Sequence, residues 1–226
     1  MDWLGQRNAP TSGASSQARR YVVLFLLASS VASAGCDTRP DPNTVVGALA
    51  YAARAIENED SRKLYRVIDE RARHALISIV ADRRAAADLI RESYPPSERD
   101  RALAELGDAA QVEDGEGLFA LRCDSECRSE VGARIGGVES SEEDGEELVV
   151  HTSREEELRL YRRGEGHWWG IVWRTAALDR ERSRANQDLH RIEDNAETYR
   201  RRAQLEDREE SPNPRDSAMD SPDPPR

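Results

Sequence analysis

The sequence predicts an α+β fold in which N-terminal helices pack on a small curved antiparallel sheet, followed by a long C-terminal helix and a disordered tail. Two observations carry this prediction. Apolar residues recur every three or four positions between residues 44 and 106, as they do on the buried face of a helix. Residues 147–173 instead hold short β-branched and aromatic runs separated by turn residues, which is typical of antiparallel strands. Helical spacing then returns from residue 176 to about residue 209.

The N-terminal part of the chain is expected to form four helices, each bounded by a recognisable start or stop signal. Asp60 or Ser61 can cap the second helix, and Pro95 ends the third. Residues 118–121 are apolar but too few to assign to either class. The predicted helices are residues 44–57, a short one around Leu64, residues 70–93 and residues 97–106, the last closed by Gly107.

Three strands are predicted in residues 147–152, 157–161 and 167–173, with a hairpin turn at residues 163–166. With four-residue loops assumed on both sides, alternation assigns the side chains to two faces. One face would hold Val149, His151, Leu158, Leu160, Trp169, Ile171 and Trp173. The other would hold Leu148, Val150, Tyr161, Trp168 and Val172. A one-residue slip would exchange these two sets.

Length and charge limit the classes of protein that the chain can belong to. Its 226 residues allow one ordinary domain with tails, here residues 44–175, a long charged helix in 176–209 and an acidic, proline-rich tail in 210–226. The net charge of −11 argues against a nucleic-acid partner, because phosphate contacts need a basic face. No apolar run approaches the ~20 residues of a membrane-spanning helix.

The N-terminus has the three regions of a signal peptide. Arginines at positions 19 and 20 precede an apolar stretch in residues 21–28, and small residues lead to Cys36. The run Ser33-Ala34-Gly35-Cys36 resembles the lipobox of bacterial lipoproteins, although Ser33 stands where leucine is usual. The resemblance implies cleavage before Cys36 and acylation of that residue, with 1–35 as signal peptide and 36–43 as tether. It places the protein in the cell envelope, anchored to the inner or outer membrane and facing the periplasm. The alternative is an ordinary secreted protein that is cut nearby.

Cys123 and Cys127 are the other two cysteines of the chain. In an oxidising compartment a short-range disulfide is the first interpretation of their C-x₃-C spacing. A metal-binding pair, a redox dithiol and two unpaired thiols are the alternatives. We expect no metal and no cofactor, because no nearby histidine completes a set of four ligands.

Two short stretches resemble the nuclear-transport-factor-two-like superfamily. They are Ala55-Ile-Glu-Asn-Glu-Asp60 with Leu64 and Tyr65, and the segment 158–173 with its glycine turn and tryptophans. The resemblance implies a curved sheet wrapped around helices to form a cone, a fold that includes isomerases and dehydratases acting in the cone mouth. Residues 95–146 depart from the family pattern, and no motif places the family's catalytic residues in this chain.

His151 is the candidate site residue, because it is the one polar group on the predicted face of Trp169 and Ile171. If that face lines a pocket, His151 could bind a ligand or act as a base. The alternative is a core histidine whose ring nitrogens are satisfied. Residues 139–147 hold six acidic residues, which we interpret as a solvated loop because the order of a calcium loop is absent.

These observations together predict a non-catalytic envelope lipoprotein with a protein-interaction or sensing role. No nucleophile elbow, phosphate-binding glycine loop or H-E-x-x-H motif occurs in the chain. A small-ligand-binding cone pocket and a cone-pocket enzyme are the alternatives. An exposed apolar stripe on residues 185–203 would favour an envelope protein partner, whereas a deep pocket containing His151 would favour a ligand.

Overall fold

The structure is a computed structural model that describes residues 40–162 and 164–210. Within those residues it contains seven α-helices, one 3₁₀ turn and a four-stranded antiparallel sheet in the order β1-β2-β3-β4. This confirms the mixed α+β class and the long C-terminal helix. The predicted signal peptide in residues 1–35, the first part of the tether and the tail after residue 210 lie outside the described residues.

The first, third and fourth helices begin and end within one residue of the predicted positions. The second, which the sequence predicts to carry Leu64, Val67 and Ile68, ends at Arg66. Polar side chains cap the first three. Thr44 Oγ1 accepts the Gly47 N–H, and Asp60 Oδ1 accepts the Lys63 N–H, both at 3.0 Å. Such side chains satisfy amide groups that the first helical turn leaves without partners. The helices are α1 (Val45–Glu57), α2 (Ser61–Arg66), α3 (Glu70–Ser93) and α4 (Pro96–Glu105).

The sequence reasoning missed two short helices, α5 (Gly115–Arg122) and α6 (Ser125–Arg134). Helix α5 contains the apolar run 118–121, which was too short to assign by period. It is helical because Leu118 and Phe119 are fully buried in the core, so tertiary packing compensates for the cost of starting a short helix. Asp124 caps α6 by accepting the Cys127 N–H at 3.0 Å.

The sheet confirms two predicted strands and corrects two other regions. Strands β2 (Glu147–Thr152) and β3 (Glu157–Tyr161) have the predicted bounds. The acidic segment is not a loop: most of it forms β1 (Val138–Asp144), an edge strand that pairs with β2. Its acidic side chains stay exposed, because an edge strand can face water while its backbone is hydrogen-bonded. The predicted strand 167–173 pairs only over β4 (Gly170–Ile171).

The predicted register between β2 and β3 is wrong by one residue. A backbone hydrogen bond from Thr152 N–H to Glu156 O closes a three-residue loop, with Glu155 in the left-handed region at φ 59°. The predicted register requires a four-residue loop here. The shorter loop places Leu148 opposite Leu160 and Val150 opposite Leu158.

The corrected register exchanges four residues of β2 between the two predicted faces of the sheet. Leu148 and Val150 share the inner face with Leu158, Leu160 and Ile171, because a one-residue slip inverts every side chain. Val149 and His151 lie on the outer face. The prediction that His151 shares a face with Trp169 and Ile171 is therefore wrong.

The main core lies between the inner face of the sheet and helices α1, α2, α3 and α5. Phe119 is fully buried and meets the Trp173 ring edge-on, with ring centroids 4.9 Å apart. Such aromatic pairs add about 0.5–1.5 kcal/mol to the stabilisation from burial. The other large, fully buried side chains of this core are Leu49, Leu64, Leu76, Ile79, Leu118, Leu158 and Leu160.

The last helix, α7 (Thr175–Glu210), lies along α3 and forms a second apolar cluster with it and with α4. Ile192 and Ala196 are buried there against Ile90 and Tyr94. An ion pair between Arg83 and Asp188, 2.7 Å apart, joins the two helices. The predicted apolar seam is thus largely covered by the domain itself, and only residues 200–209 are exposed on all sides.

Asp69 connects three parts of the fold. Its fully buried carboxylate caps α3 by accepting the backbone N–H groups of Arg71 and Ala72 at 3.1 and 3.2 Å. The other oxygen accepts the N–H of Trp173, just after β4, at 3.3 Å and the hydroxyl of Thr175, the first residue of α7, at 3.0 Å. One side chain therefore holds the beginnings of two long helices against the end of the sheet.

Candidate functional site

A cleft of about 460 Å³ lies where the end of α2, the first turn of α3 and the β3–β4 hairpin meet. Arg66 and Arg73 line it from the helical side. Tyr161, Trp168 and Trp169 line it from the hairpin side. Its volume is within the usual range for small-molecule sites, about 300–1,000 Å³. The name aromatic–arginine cleft refers below to the cavity that these five residues line.

The fold builds this cleft by pairing the residues before α3 with β4. The Ile171 N–H donates to Val67 O at 2.8 Å, and the Asp69 N–H donates to Ile171 O at 2.9 Å. Gly170 permits the close approach: a Cβ at this position would lie 2.5 Å from the Asp69 Cα. Residues 67–69 thus extend the sheet by one short parallel segment and hold the hairpin against the helices.

Trp168 and Trp169 form the aromatic wall of the cleft. Trp168 is 44% exposed and packs its ring against Tyr51, with centroids 5.9 Å apart. Trp169 is half-buried, and the Arg162 guanidinium lies 4.6 Å from the centroid of its ring. The Trp169 N–H donates to Pro42 O at 3.1 Å, so the residues before α1 are attached to this same hairpin.

The guanidinium groups of the two cleft arginines have no partner among residues 40–162 and 164–210. The side chains of Arg66 and Arg73 make no hydrogen bond and no ion pair there, and the buried Nε of Arg73 has no acceptor. The side chain of Glu70, which also lines the cleft, lies 3.5 Å from His74. The positive charge of Arg73 does act on a neighbour: burial raises the pKa of Tyr65, and Arg73 opposes that rise.

Arg71, between these residues in sequence, has a contrasting environment. Its guanidinium bonds Asp69 at 3.1 Å and Glu147 at 2.7 Å, and it lies 4.1 Å from the centroid of the Tyr161 ring. Burial lowers the pKa of Arg71, but the hydrogen bonds to Glu147 and Asp69 outweigh burial and raise it. Arg71 is therefore part of the framework, whereas Arg66 and Arg73 leave their donors for other groups.

The structure separates the three residues that the sequence analysis placed in one pocket. Trp169 lines the cleft, as just described. Ile171 is buried in the core opposite Leu160. His151 is exposed on the outer face of β2, opposite Ser140 and Glu157, and does not line the cleft. The histidine that lines it is His167, in the hairpin.

Cys123 and Cys127 lie at the junction of α5 and α6, and neither lines the cleft. Their Sγ atoms are 2.11 Å apart, at disulfide-bonding distance, and both residues are buried. The bond joins the end of one short helix to the first turn of the next. Within the described ranges, no group of three histidine, cysteine or carboxylate side chains is arranged to hold a metal ion.

The chemistry of the cleft suits binding of an anion attached to a flat or apolar body. Arginine offers a planar set of donors that matches carboxylate and phosphate oxygens, and it is more weakly hydrated than lysine. Tryptophan offers a broad apolar face. No sequence signal identifies Arg66 and Arg73 among the chain's many arginines, since only the fold brings them to the hairpin.

Comparison of the chain with protein-family models, with curated proteins and with solved structures finds no match. The resemblances to bacterial lipoproteins and to the nuclear-transport-factor-two-like superfamily therefore stay predictions. None of the helices in the described part of the chain has the length and apolar character needed to cross a bilayer.

Proposed function

We propose that this protein is a lipid-anchored protein of the bacterial cell envelope, and that its domain binds an anionic ligand in the aromatic–arginine cleft without transforming it. The anchor would be Cys36, and the role is sensing or interaction at the membrane surface. The observation that carries the proposal is the pair of arginines, Arg66 and Arg73, whose guanidinium groups have no partners among the described residues and lie beside a partly exposed Trp168.

The environment of Arg73 differs from that of two other partly buried arginines of the described chain. The chain has a net charge of −11, so carboxylates are abundant enough to pair with arginines. Arg83 and Arg122, which are partly buried elsewhere, are both held by carboxylates of α7. Arg73 is partly buried, whereas Arg66 is exposed. A partly buried guanidinium without a counter-charge costs desolvation free energy, and an anionic ligand bound to Arg73 would recover that cost. The contrast supports a ligand as the missing counter-charge.

One further feature supports anion binding by the two arginines, and another argues against a protein partner on α7. Arginine keeps its proton at physiological pH, so Arg66 and Arg73 can orient an anion but are poorly suited to proton transfer. The apolar seam of α7 is largely covered by α3 and α4, so it offers little surface to a second protein. We therefore assign recognition of the anionic ligand to the cleft.

The anchor is tested by the variant Cys36→Ala in the producing bacterium. We expect the wild-type protein to fractionate with membranes and to have an intact mass that begins at Cys36 with acyl chains attached. The variant should lose the acyl mass and the processing before residue 36. A variant that fractionates with membranes and has the same processed, acylated mass as the wild type would contradict the anchor.

The cleft is tested with protein extracted from membranes and titrated with phosphate, citrate and 3-phenylpropionate. We expect at least one of these anions to bind, and Arg66→Gln with Arg73→Gln to weaken it by about tenfold or more, equivalent to about 1.4 kcal/mol. The matched control is Arg184→Gln, an exposed arginine on α7 that does not line the cleft. Equal affinities in the double variant and the control would refute the site.

A further inference from the structure

We propose that the aromatic–arginine cleft faces the membrane and binds the phosphate headgroup of an anionic phospholipid in that membrane. This inference rests on the proposed lipid anchor at Cys36 and names the source of the anion. It follows from where the chain enters the domain, which side chains surround that point, and how charge is distributed over the described surface.

The length of the chain limits how far the cleft can be from the lipid anchor. Three residues lie between Cys36 and Pro40, and the four steps from one Cα to the next span at most about 14 Å. From Asp41 onward the chain is attached to the domain: Asp41 O accepts both the backbone N–H and the hydroxyl of Thr44, at 3.1 and 3.0 Å. Pro42 O accepts the Trp169 N–H. The anchored end of the chain therefore meets the domain at one wall of the cleft.

The side chains around that point suit the interface between water and lipid. Trp168 is 44% exposed on the hairpin, and Val46 is 64% exposed in the first turn of α1, just after the attached segment. Tryptophan concentrates at membrane surfaces, because its ring is apolar while its N–H can bond the headgroup layer. In a domain held this close to a bilayer, these two side chains can contact lipid without any rearrangement of the core.

The distribution of charge also favours an orientation in which the cleft faces the membrane. Arg66 and Arg73 line a cleft whose hairpin wall is bonded to Pro42, near the proposed anchor. They outnumber Glu70, the carboxylate in the cleft lining. A guanidinium binds phosphate oxygens through paired donors. The exposed acidic side chains of β1 and the following turn, including Glu142, Glu143 and Glu146, do not line the cleft. A negatively charged bilayer attracts the arginines of the cleft and repels the acidic side chains of β1.

The test uses the mature acylated protein in phosphatidylcholine vesicles whose acyl chains are brominated, with or without phosphatidylglycerol. Bromine quenches tryptophan fluorescence on contact. The mature chain has three tryptophans, at positions 168, 169 and 173, and Trp168 is the most exposed. We expect phosphatidylglycerol to increase the quenching at least twofold in the wild type and in Arg184→Gln. Arg66→Gln with Arg73→Gln should lose that increase, and Trp168→Phe should lose most of the quenching.

Free glycerol 1-phosphate distinguishes a soluble anion from a lipid headgroup. If the protein binds it with micromolar affinity while quenching stays the same in both kinds of vesicle, the ligand is soluble and the headgroup proposal is wrong. The intact mass is measured first. A mass without acyl chains overturns the anchor and this inference together, whereas unchanged quenching in a fully acylated protein overturns the headgroup proposal alone.

Discussion

Replacing Asp69 tests whether one buried carboxylate holds the helices to the sheet. Its oxygens accept five hydrogen bonds within the described structure. The donors are Arg71 N at 3.1 Å, Arg71 Nε at 3.1 Å, Ala72 N at 3.2 Å, Trp173 N at 3.3 Å and Thr175 Oγ1 at 3.0 Å. In Asp69→Ala all five donors lose this acceptor, and the buried backbone N–H groups cannot reach water instead.

The magnitude follows from the kind of contact that is lost. A hydrogen bond to a charged group contributes about 1.5–3 kcal/mol, and the five are not additive because they share one carboxylate. Loss of a helix cap costs about 0.5–2 kcal/mol. The buried backbone N–H groups of Ala72 and Trp173 lose their acceptor, at about 1–3 kcal/mol each, whereas Arg71 keeps its ion pair with Glu147. We therefore expect Asp69→Ala to lower the free energy of unfolding by about 3–5 kcal/mol.

Asp69→Asn separates the acceptor role from side-chain size. Asparagine keeps one oxygen for the α3 cap but turns an NH₂ group toward the Trp173 N–H and the Thr175 hydroxyl. The hydroxyl can rotate and accept, whereas the backbone N–H cannot, so we expect a loss of about 1–3 kcal/mol, the cost of one unsatisfied buried donor.

Urea unfolding followed by far-ultraviolet circular dichroism measures both losses, with a constant slope required for comparison. The control is Asp60→Ala, a partly exposed cap of the short helix α2, which should cost about 1 kcal/mol. If Asp69→Ala costs no more than Asp60→Ala, Asp69 does not hold the helices to the sheet and the reasoning fails.

Three further changes have defined outcomes. Reduction of the Cys123–Cys127 pair should lower the free energy of unfolding by about 2 kcal/mol, because it closes only a short loop; two freely alkylated thiols in protein from the envelope would disprove the bond. Gly170→Ala should cost about 2–3 kcal/mol, since its Cβ would overlap backbone; an unchanged melting temperature would contradict this. Ile192→Ala should cost about 2–4 kcal/mol through loss of packing on α3, and exposed Leu205→Ala less than about 0.5 kcal/mol. Similar melting temperatures for the last two variants would show that α7 is not docked.

Much of the secondary structure could be predicted from local sequence. Thr44, Asp60 and Asp69 each precede a helix, and Pro95 follows one, so the helices have chemical start and stop signals within a few residues. The bounds of β2 and β3 were also correct, because β-branched residues and turn residues alternate there. Helices α5 and α6 were missed, since eight- and ten-residue helices depend on packing more than on their own residues.

The candidate site was predicted only in part, for a physical reason that concerns the register of the sheet. Trp169 lines a cleft, but this cleft is not the predicted pocket shared with His151 and Ile171. His151 was placed wrongly, because its face depends on whether the loop after Thr152 has three residues or four. Arg66 and Arg73 were not predicted at all, because they approach the hairpin from residues about a hundred positions earlier in the chain.

The sequence by itself determined where most helices and strands begin and end, because caps, prolines and apolar period act within a few residues. The tertiary structure decided the strand pairing, the burial of the α7 seam and the composition of the cleft. These features depend on groups far apart in the chain: Asp69 with Trp173 and Thr175, and Arg66 with Trp168. Their proximity follows from how the whole core packs, and no local pattern encodes it.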